Sequence, residues 1–298
     1  MIAARDPFPA PVTPIPFRKM HGLGNDFVVI DARGHAFPAS PALLGRIADR
    51  RLGVGCDQLI LLEPSDRADA RMRIFNPDGG EVGACGNATR CIAWLLAAEA
   101  GRAQAIIETR AGLLRATLAE GVVTVDMGAP RLGWGEIPLA GAGADTARVA
   151  IDAAGIDPAL PGWFSAVNMG NPHAVFFVED CDAFELARIG PALETHPLFP
   201  EKANVSLASR AGPDALRVRV WERAAGATLA CGTAACAVAV AAWRLGLVPE
   251  GPVRILLPGG VLTIARGGAG SVLMTGPVAT SFTGTLDPAL LILPEAAA

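Results

Sequence analysis

Apolar residues in this chain come in short continuous runs, each bounded by glycine, proline or asparagine. The runs at 27–30, 59–62 and 174–178 have the length and β-branched content of strands buried on both faces. Further strands are predicted at 71–75, 113–118, 217–220 and 261–264. Two longer apolar stretches, rich in alanine, read instead as helices. One covers 87–100 and closes at Gly101; the other covers 233–245 and closes at Gly246. A third helix is predicted over 41–51, with Ser40 as its N-cap. The Pro- and Gly-rich region 130–161 reads as a connection containing a short strand near 148–151. Strands interleaved with helices that each pack on their own sheet make this an α/β (α+β) protein.

The pattern repeats. Ala84-Cys85-Gly86-Asn87 is echoed by Ala230-Cys231-Gly232-Thr233, and the two cysteines are 146 residues apart. Gly24-Asn25 and Gly170-Asn171 keep the same 146-residue separation, as do Gln58 and Asn204, and Asn76 and Glu222. Any one pair is a weak signal, but a constant offset is not expected by chance. Two similar domains from a duplication are implied, in agreement with a prior of about 150 residues per domain for a 298-residue chain. Matching residues would then face each other across a pseudo-two-fold cleft, a favoured place for a ligand.

Composition narrows the chemistry. The chain is 51% hydrophobic and 18% charged, which excludes a disordered protein, and its net charge of −4 argues against a nucleic-acid binder. No apolar stretch is long enough for a membrane span. The first sixteen residues hold five prolines and lack a signal-peptide core, so 1–16 is expected to be an extended arm and the protein cytoplasmic. With six cysteines, four histidines and no tyrosine, acid–base work falls to Cys, His, Asp, Glu or Lys. No C-x-x-C pair occurs and the histidines are scattered, so neither a metal site nor a dithiol redox protein is supported.

Cys85 and Cys231 each stand at the start of an apolar helix. Backbone N–H groups there lack intrahelical partners and carry partial positive charge, so they favour a thiolate and can hold a carboxylate. Two such thiols facing one carbon suit a two-base epimerase: one removes the α-proton and the other returns a proton on the opposite face. No electron-sink cofactor is then required. A pyridoxal enzyme would need a Schiff-base lysine, and only Lys19 and Lys202 are present, neither within a motif for that role. Cys56, Cys91, Cys181 and Cys236 are expected to be buried and inert.

The motifs resemble those of the diaminopimelate epimerase family. They are Lys19-Met20-His21-Gly22-Leu23-Gly24-Asn25-Asp26-Phe27, Gly55-Cys56-Asp57-Gln58, Asn76-Pro77-Asp78-Gly79, Ala84-Cys85-Gly86-Asn87, Gly170-Asn171-Pro172-His173, Glu222-Arg223, Ala230-Cys231-Gly232-Thr233 and Leu257-Pro258-Gly259-Gly260. The resemblance covers about 17–277, in the expected order. It implies two pseudosymmetric domains, 17–131 and 132–277, each a mixed sheet wrapped around a central helix, with 278–292 returning to the first. The active site would occupy the cleft between them.

By the same resemblance the reaction is the interconversion of LL- and meso-diaminopimelate, in lysine and peptidoglycan-precursor synthesis, without cofactor or metal. Cys85 and Cys231 would be the acid–base pair, with His173 and Glu222 close to them. The N–H groups of Gly86, Asn87, Gly232 and Thr233 would hold the reacting carboxylate. Asn25, Gln58, Asn76, Asn171, Asn204, Glu222 and Arg223 would line the substrate, and a bidentate Arg suits its second carboxylate. The partner would be this small molecule alone; a homodimer is compatible with the resemblance.

Four departures stand out. Ala88-Thr89 replaces a usual Gly-Ala, and Ala224, Ala227 and Ala234 replace Gly, Glu and Gly. Ala227 removes a carboxylate expected near the second thiol. The main alternatives are a proline or hydroxyproline racemase, which would not need Arg223 with four amides, and a binding or isomerase relative without the paired cysteines.

Overall fold

The computed structural model describes residues 14–143 and 145–292. Of the arm expected over 1–16, residues 1–13 lie outside these. Ile15 and Pro16 do not belong to an arm but open the first strand, opposite Leu286 and Thr285. Pro16 is tolerated there because the pairing with β2 on its other side has already stopped, at Phe17 opposite Ile30.

The chain begins with β1 (Ile15–Gly22), β2 (Asn25–Asp31), α1 (Pro41–Ala48), β3 (Gln58–Glu63), β4 (Ala70–Phe75), β5 (Glu81–Val82), α2 (Gly86–Ala100), β6 (Gln104–Thr109), β7 (Gly112–Ala119) and β8 (Val122–Asp126). After the short β9 (Val149–Ala150) the order returns. It runs β10 (Trp163–Asn168), β11 (Pro172–Phe177), α3 (Leu186–Glu194), β12 (Asn204–Gly212), β13 (Ala215–Glu222), β14 (Gly226–Thr228), α4 (Gly232–Arg244), β15 (Val253–Leu257), β16 (Gly260–Arg266) and β17 (Val272–Gly276). β18 (Ala279–Leu286) and α5 (Pro288–Leu291) are the last elements of the described residues.

Pairing is the same in both series. β2 with β3, β4 with β6, β11 with β12 and β13 with β15 are parallel, and the neighbours between them are antiparallel. β8 and β17 pair antiparallel and join the two series into one sheet, with a Thr124–Thr275 hydroxyl contact of 2.8 Å across the seam. Each series also lends a strand to the other. β9 follows the first series but pairs with β10, and β18 follows the second but pairs with β1.

The apolar runs read as doubly buried because they are. Phe27 and Val29 of β2, with Ile60 and Leu62 of β3, face the central core that holds α2 and α4. Val28, Ile30, Leu59 and Leu61 face an outer core under α1, as period-two alternation requires. β11 and β12 divide likewise: Val175 and Ala208 point inward, while Ala174, Phe176 and Leu207 point toward α3. The two central helices are buried almost all round, and their alanines let strands wrap closely.

Two helix expectations need correction. α1 stops at Ala48 rather than at residue 51, because the Asp49 carboxylate accepts from the N–H groups of Arg51 and Leu52, both at 2.7 Å, and turns the chain. α3 was not expected, since Gly190 and Pro191 break its pattern; it forms because Leu186, Ile189 and Leu193 are buried in the outer core. Among the described residues no helix is long and apolar enough to cross a membrane.

Gly190 is where α3 meets β13. A Cβ there would stand 2.3 Å from Trp221 Cδ2, and Trp221 is tied to Glu194 by a 2.8 Å bond from its indole N–H. Gly190→Ala is therefore expected to cost about 1–3 kcal/mol in urea unfolding. An unchanged midpoint would show that the ring can move away freely.

Candidate active site

One rim of the sheet collects the polar landmarks. Asn25 and Gln58 begin the parallel strands β2 and β3, and Asn76 follows the end of antiparallel β4. In the second series Asn171 precedes β11, Asn204 begins β12 and Glu222 ends β13. Cys85 and Cys231 are the N-cap residues of α2 and α4, in extended backbone and without a side-chain cap bond. The helix starts are packed together. Asn87 Nδ2 donates to Ala230 O at 3.2 Å, and both Gly86 and Gly232 lie against Met274. A Cβ on either glycine would come within 2.8 Å of that side chain, so glycine permits this approach.

The thiols share one electrostatic environment. Cys85 is half-buried and Cys231 buried. Burial pushes the Cys85 thiol up to about 11, and the Glu222 charge pushes the same way, against the nearby N–H groups of Ala88 and Asn87 at the helix start. Cys231 is raised well above its usual value by burial and again by Glu222. Burial outweighs the N–H groups at the helix starts, so both thiols stand above their ordinary value rather than below it, as the helix positions alone would suggest. Burial also raises Glu222, which accepts from Thr228 Oγ1 at 2.6 Å and from the Cys231 thiol. Cys231 Sγ also lies 3.5 Å from Thr233 Oγ1.

The remaining site residues form bonded pairs. Gln58 Nε2 donates to Asn76 Oδ1 at 3.0 Å. Asn204 accepts from the Arg223 N–H at 3.0 Å and donates to Pro172 O at 3.0 Å. The Arg223 guanidinium gives one bond, of 2.9 Å, to Glu201 O. His173 Nε2 lies 2.8 Å from Asn171 Oδ1, and its Nδ1 is buried and unpartnered. Among the hydrogen bonds of the described residues, none joins His173 to a thiol.

The residues that match the diaminopimelate epimerase family model are 17–133 and 165–281, and so include every landmark of the rim. The chain is 56% identical to the diaminopimelate epimerase of Rhodospirillum centenum over 92% of its own length and 93% of that protein's. This chain belongs to the diaminopimelate epimerase family. Against the family member of Erythrobacter litoralis, identity is 52% over 92% and 97% of the two chains. The fold is shared more widely. A phenazine biosynthesis protein of the PhzF family from Enterococcus faecalis superposes with a TM-score of 0.68 at 17% identity, covering 92% of this chain and 100% of that one. A hydroxyproline epimerase from Agrobacterium vitis, with trans-4-hydroxy-L-proline bound, gives 0.63 at 18%, covering 93% and 94%.

Within this epimerase the departures have visible consequences. Ala224 adopts φ 62°, the left-handed region that favours the glycine usual there. Ala227 lies across the β13–β14 hairpin from Trp221, and the hydroxyl of Thr228, unremarked in the sequence, is what engages Glu222. Arg90 was also overlooked. It is fully buried one turn into α2, and it reaches from the first series to Met274 of β17, with Nε and Nη2 unpartnered. Its signal was a lone cation inside an apolar helix. As for metals, among the described residues only Asp180, Cys181 and Asp182 form a group of three with ligand atoms within 4.8 Å of one another. They belong to a turn after β11, and Cys181 is engaged by Ser209 at 3.3 Å.

His173 supplies a test. Burial, helped by the Arg223 charge, pushes it down to about 3 from 6.5. The unfolded chain therefore takes up the proton first, and stability present above pH 6.5 is lost as pH falls toward 3. His173→Gln should flatten that acid limb when urea midpoints are measured between pH 7 and pH 4; a parallel limb would contradict the assignment.

Proposed function

We propose that this chain epimerises one α-carbon of diaminopimelate, interconverting the LL and meso forms, with Cys85 and Cys231 as its two bases. The observation that carries the reading is the pair of cysteines N-capping two buried helices whose starts are packed together. The N–H groups of Gly86, Asn87, Gly232 and Thr233 hold the reacting carboxylate and offset the charge that gathers on it as the carbon ionises. One sulfur, as thiolate, takes the α-proton as the C–H bond breaks. The other, as thiol, gives its proton to the opposite face, and the two sulfurs have exchanged roles. Because burial raises both thiols, a thiolate formed there is a stronger base than free cysteine, which narrows the gap to a weakly acidic α-carbon. Glu222 accepts from the Cys231 thiol and is placed to receive its proton.

At the distal end, the unused donors of Arg223 suit a carboxylate, while Asn76, Asn171 and Asn204 suit an ammonium; Asn25 stands instead beside Cys85. Gln58 supports Asn76, and the neutral His173 orients Asn171. No step calls on a cofactor, and both lysines are engaged elsewhere: Lys19 with Asp26 at 2.6 Å and Lys202 with Glu194 at 3.6 Å. We place the reaction in the cytoplasm, in lysine and peptidoglycan-precursor synthesis. It needs no nucleic acid or membrane, and it is compatible with a monomer or a homodimer.

The purified protein, reduced and without pyridoxal, should turn over LL-diaminopimelate and leave proline and trans-4-hydroxyproline unchanged. Cys85→Ala and Cys231→Ala should each lower kcat by about 10²–10⁴. Turnover of hydroxyproline, or a parent-like rate in either variant, would defeat the proposal.

A further inference from the structure

An amide side chain has a donor end and an acceptor end, and its neighbours decide which way it points. Asn25 stands between Cys85 and a charge cluster on the other side. Asp57 Oδ2 accepts from Asn25 Nδ2 at 2.9 Å and from the Asp26 N–H at 3.1 Å, while Asp57 Oδ1 accepts from Arg50 Nη2 at 2.6 Å. The cluster is itself braced. Asp26 accepts from Arg50 at 2.7 and 3.0 Å, pairs with Lys19 at 2.6 Å, and receives the Asp57 N–H at 2.9 Å. Against the upward push of burial, those cations hold Asp26 well below the usual carboxylate range. A carboxylate so placed only accepts, so the donor end of Asn25 is fixed outward. Its Oδ1 must then face the site, where Asn87 Nδ2 donates to it at 3.1 Å and the Cys85 thiol stands at 3.8 Å.

We infer that Asp57 is a positioning residue for the epimerase: by fixing the Asn25 amide, it presents a carbonyl oxygen to Cys85 and holds that thiol protonated, as the proton donor of the unliganded site. A carbonyl oxygen accepts from S–H and repels a thiolate, whereas a flipped amide would offer N–H to the sulfur and favour its ionisation. Cys231 has no such arrangement. The residue equivalent to Asp57 is Ala203, Asn171 is bonded to His173, and Cys231 itself faces Glu222 and Thr233. The pseudo-symmetric site is thereby polarised, with one thiol held as acid and the other beside a carboxylate base. The other groups acting on Cys85 are the Glu222 carboxylate, the Arg90 guanidinium and the N–H groups of Asn87 and Ala88. The Asp57 substitution leaves all of these in position; the Asp57 charge also raises Glu222, a contribution that persists without Asn25 and is separated by the Asn25→Ala background.

The assignment of donor and base rests on the two-thiol reading, but the test needs no substrate and so can fail separately from it. Alkylation of Cys85 by iodoacetamide is followed against pH by mass spectrometry in four full-length proteins: parent, Asp57→Asn, Asn25→Ala and the double variant. Asp57→Asn is isosteric at a side chain 43% exposed, and it frees the Asn25 amide to turn. Its alkylation midpoint should fall by about one pH unit, equivalent to about tenfold faster labelling below the midpoint. In the Asn25→Ala background the same change should shift the midpoint by less than a third as much, because the relay is already gone. A profile for Asp57→Asn that superimposes on the parent overturns the inference. So does a full shift that persists without Asn25, which would mean that Asp57 acts only as a distant charge. With diaminopimelate, kcat of Asp57→Asn should drop while KM holds; an equal rise in KM would point to substrate binding instead.

Discussion

The first turn of a helix leaves backbone N–H groups that its own residues cannot satisfy. This fold buries two such starts against each other, and neither is capped by a side chain. Most of the remaining structure follows from keeping them there. Alanine-rich helices let the strands of both series wrap tightly, Gly86 and Gly232 let the starts close on Met274, and the β8–β17 seam holds the series in register. A carboxylate is the natural occupant of donors buried in this way, and a sulfur at each N-cap then lies beside the carbon that bears it. On the proposed reading, binding and chemistry share one set of backbone groups.

Duplication builds this arrangement, and departures from the duplicate tune it. Where the first series has Phe27, packed and inert, the second has His173, neutral and bonded to Asn171. Arg90 has Cys236 as its equivalent, and Asp57 has Ala203. A two-base epimerase needs nearly equal faces, because it must run in both directions, yet it needs one acid and one base at any moment. Near-symmetry of the backbone with asymmetry of the side chains meets both needs.

Much of this was legible in the chain because the landmarks sit at strand ends and helix starts, where turn chemistry demands particular residues. The 146-residue offset, the two helices and the strands at 27–30 and 59–62 were readable for that reason. Other features were not. β18 is largely exposed, so no buried run marks it; its return to the first series was expected from the family resemblance alone, not from the pattern of residues. α3 forms through tertiary burial despite Gly190 and Pro191. The thiols were expected to be acidic from their helix positions, but the loss of water around them reverses the sign, and burial is not written in local sequence. Asp57 stood within a recognised motif, yet its role appears only once Asn25 and Cys85 are seen on either side of one amide.

The central claim is that two different sulfurs act on opposite faces of one carbon. It is tested most directly by running LL-diaminopimelate to low conversion in deuterated water and measuring the isotope in both isomers. Two bases predict deuterium at the epimerised carbon of the meso product and almost none in the recovered LL substrate. Deuterium appearing in recovered substrate as fast as in product would mean that a single group serves both faces, and would contradict the account.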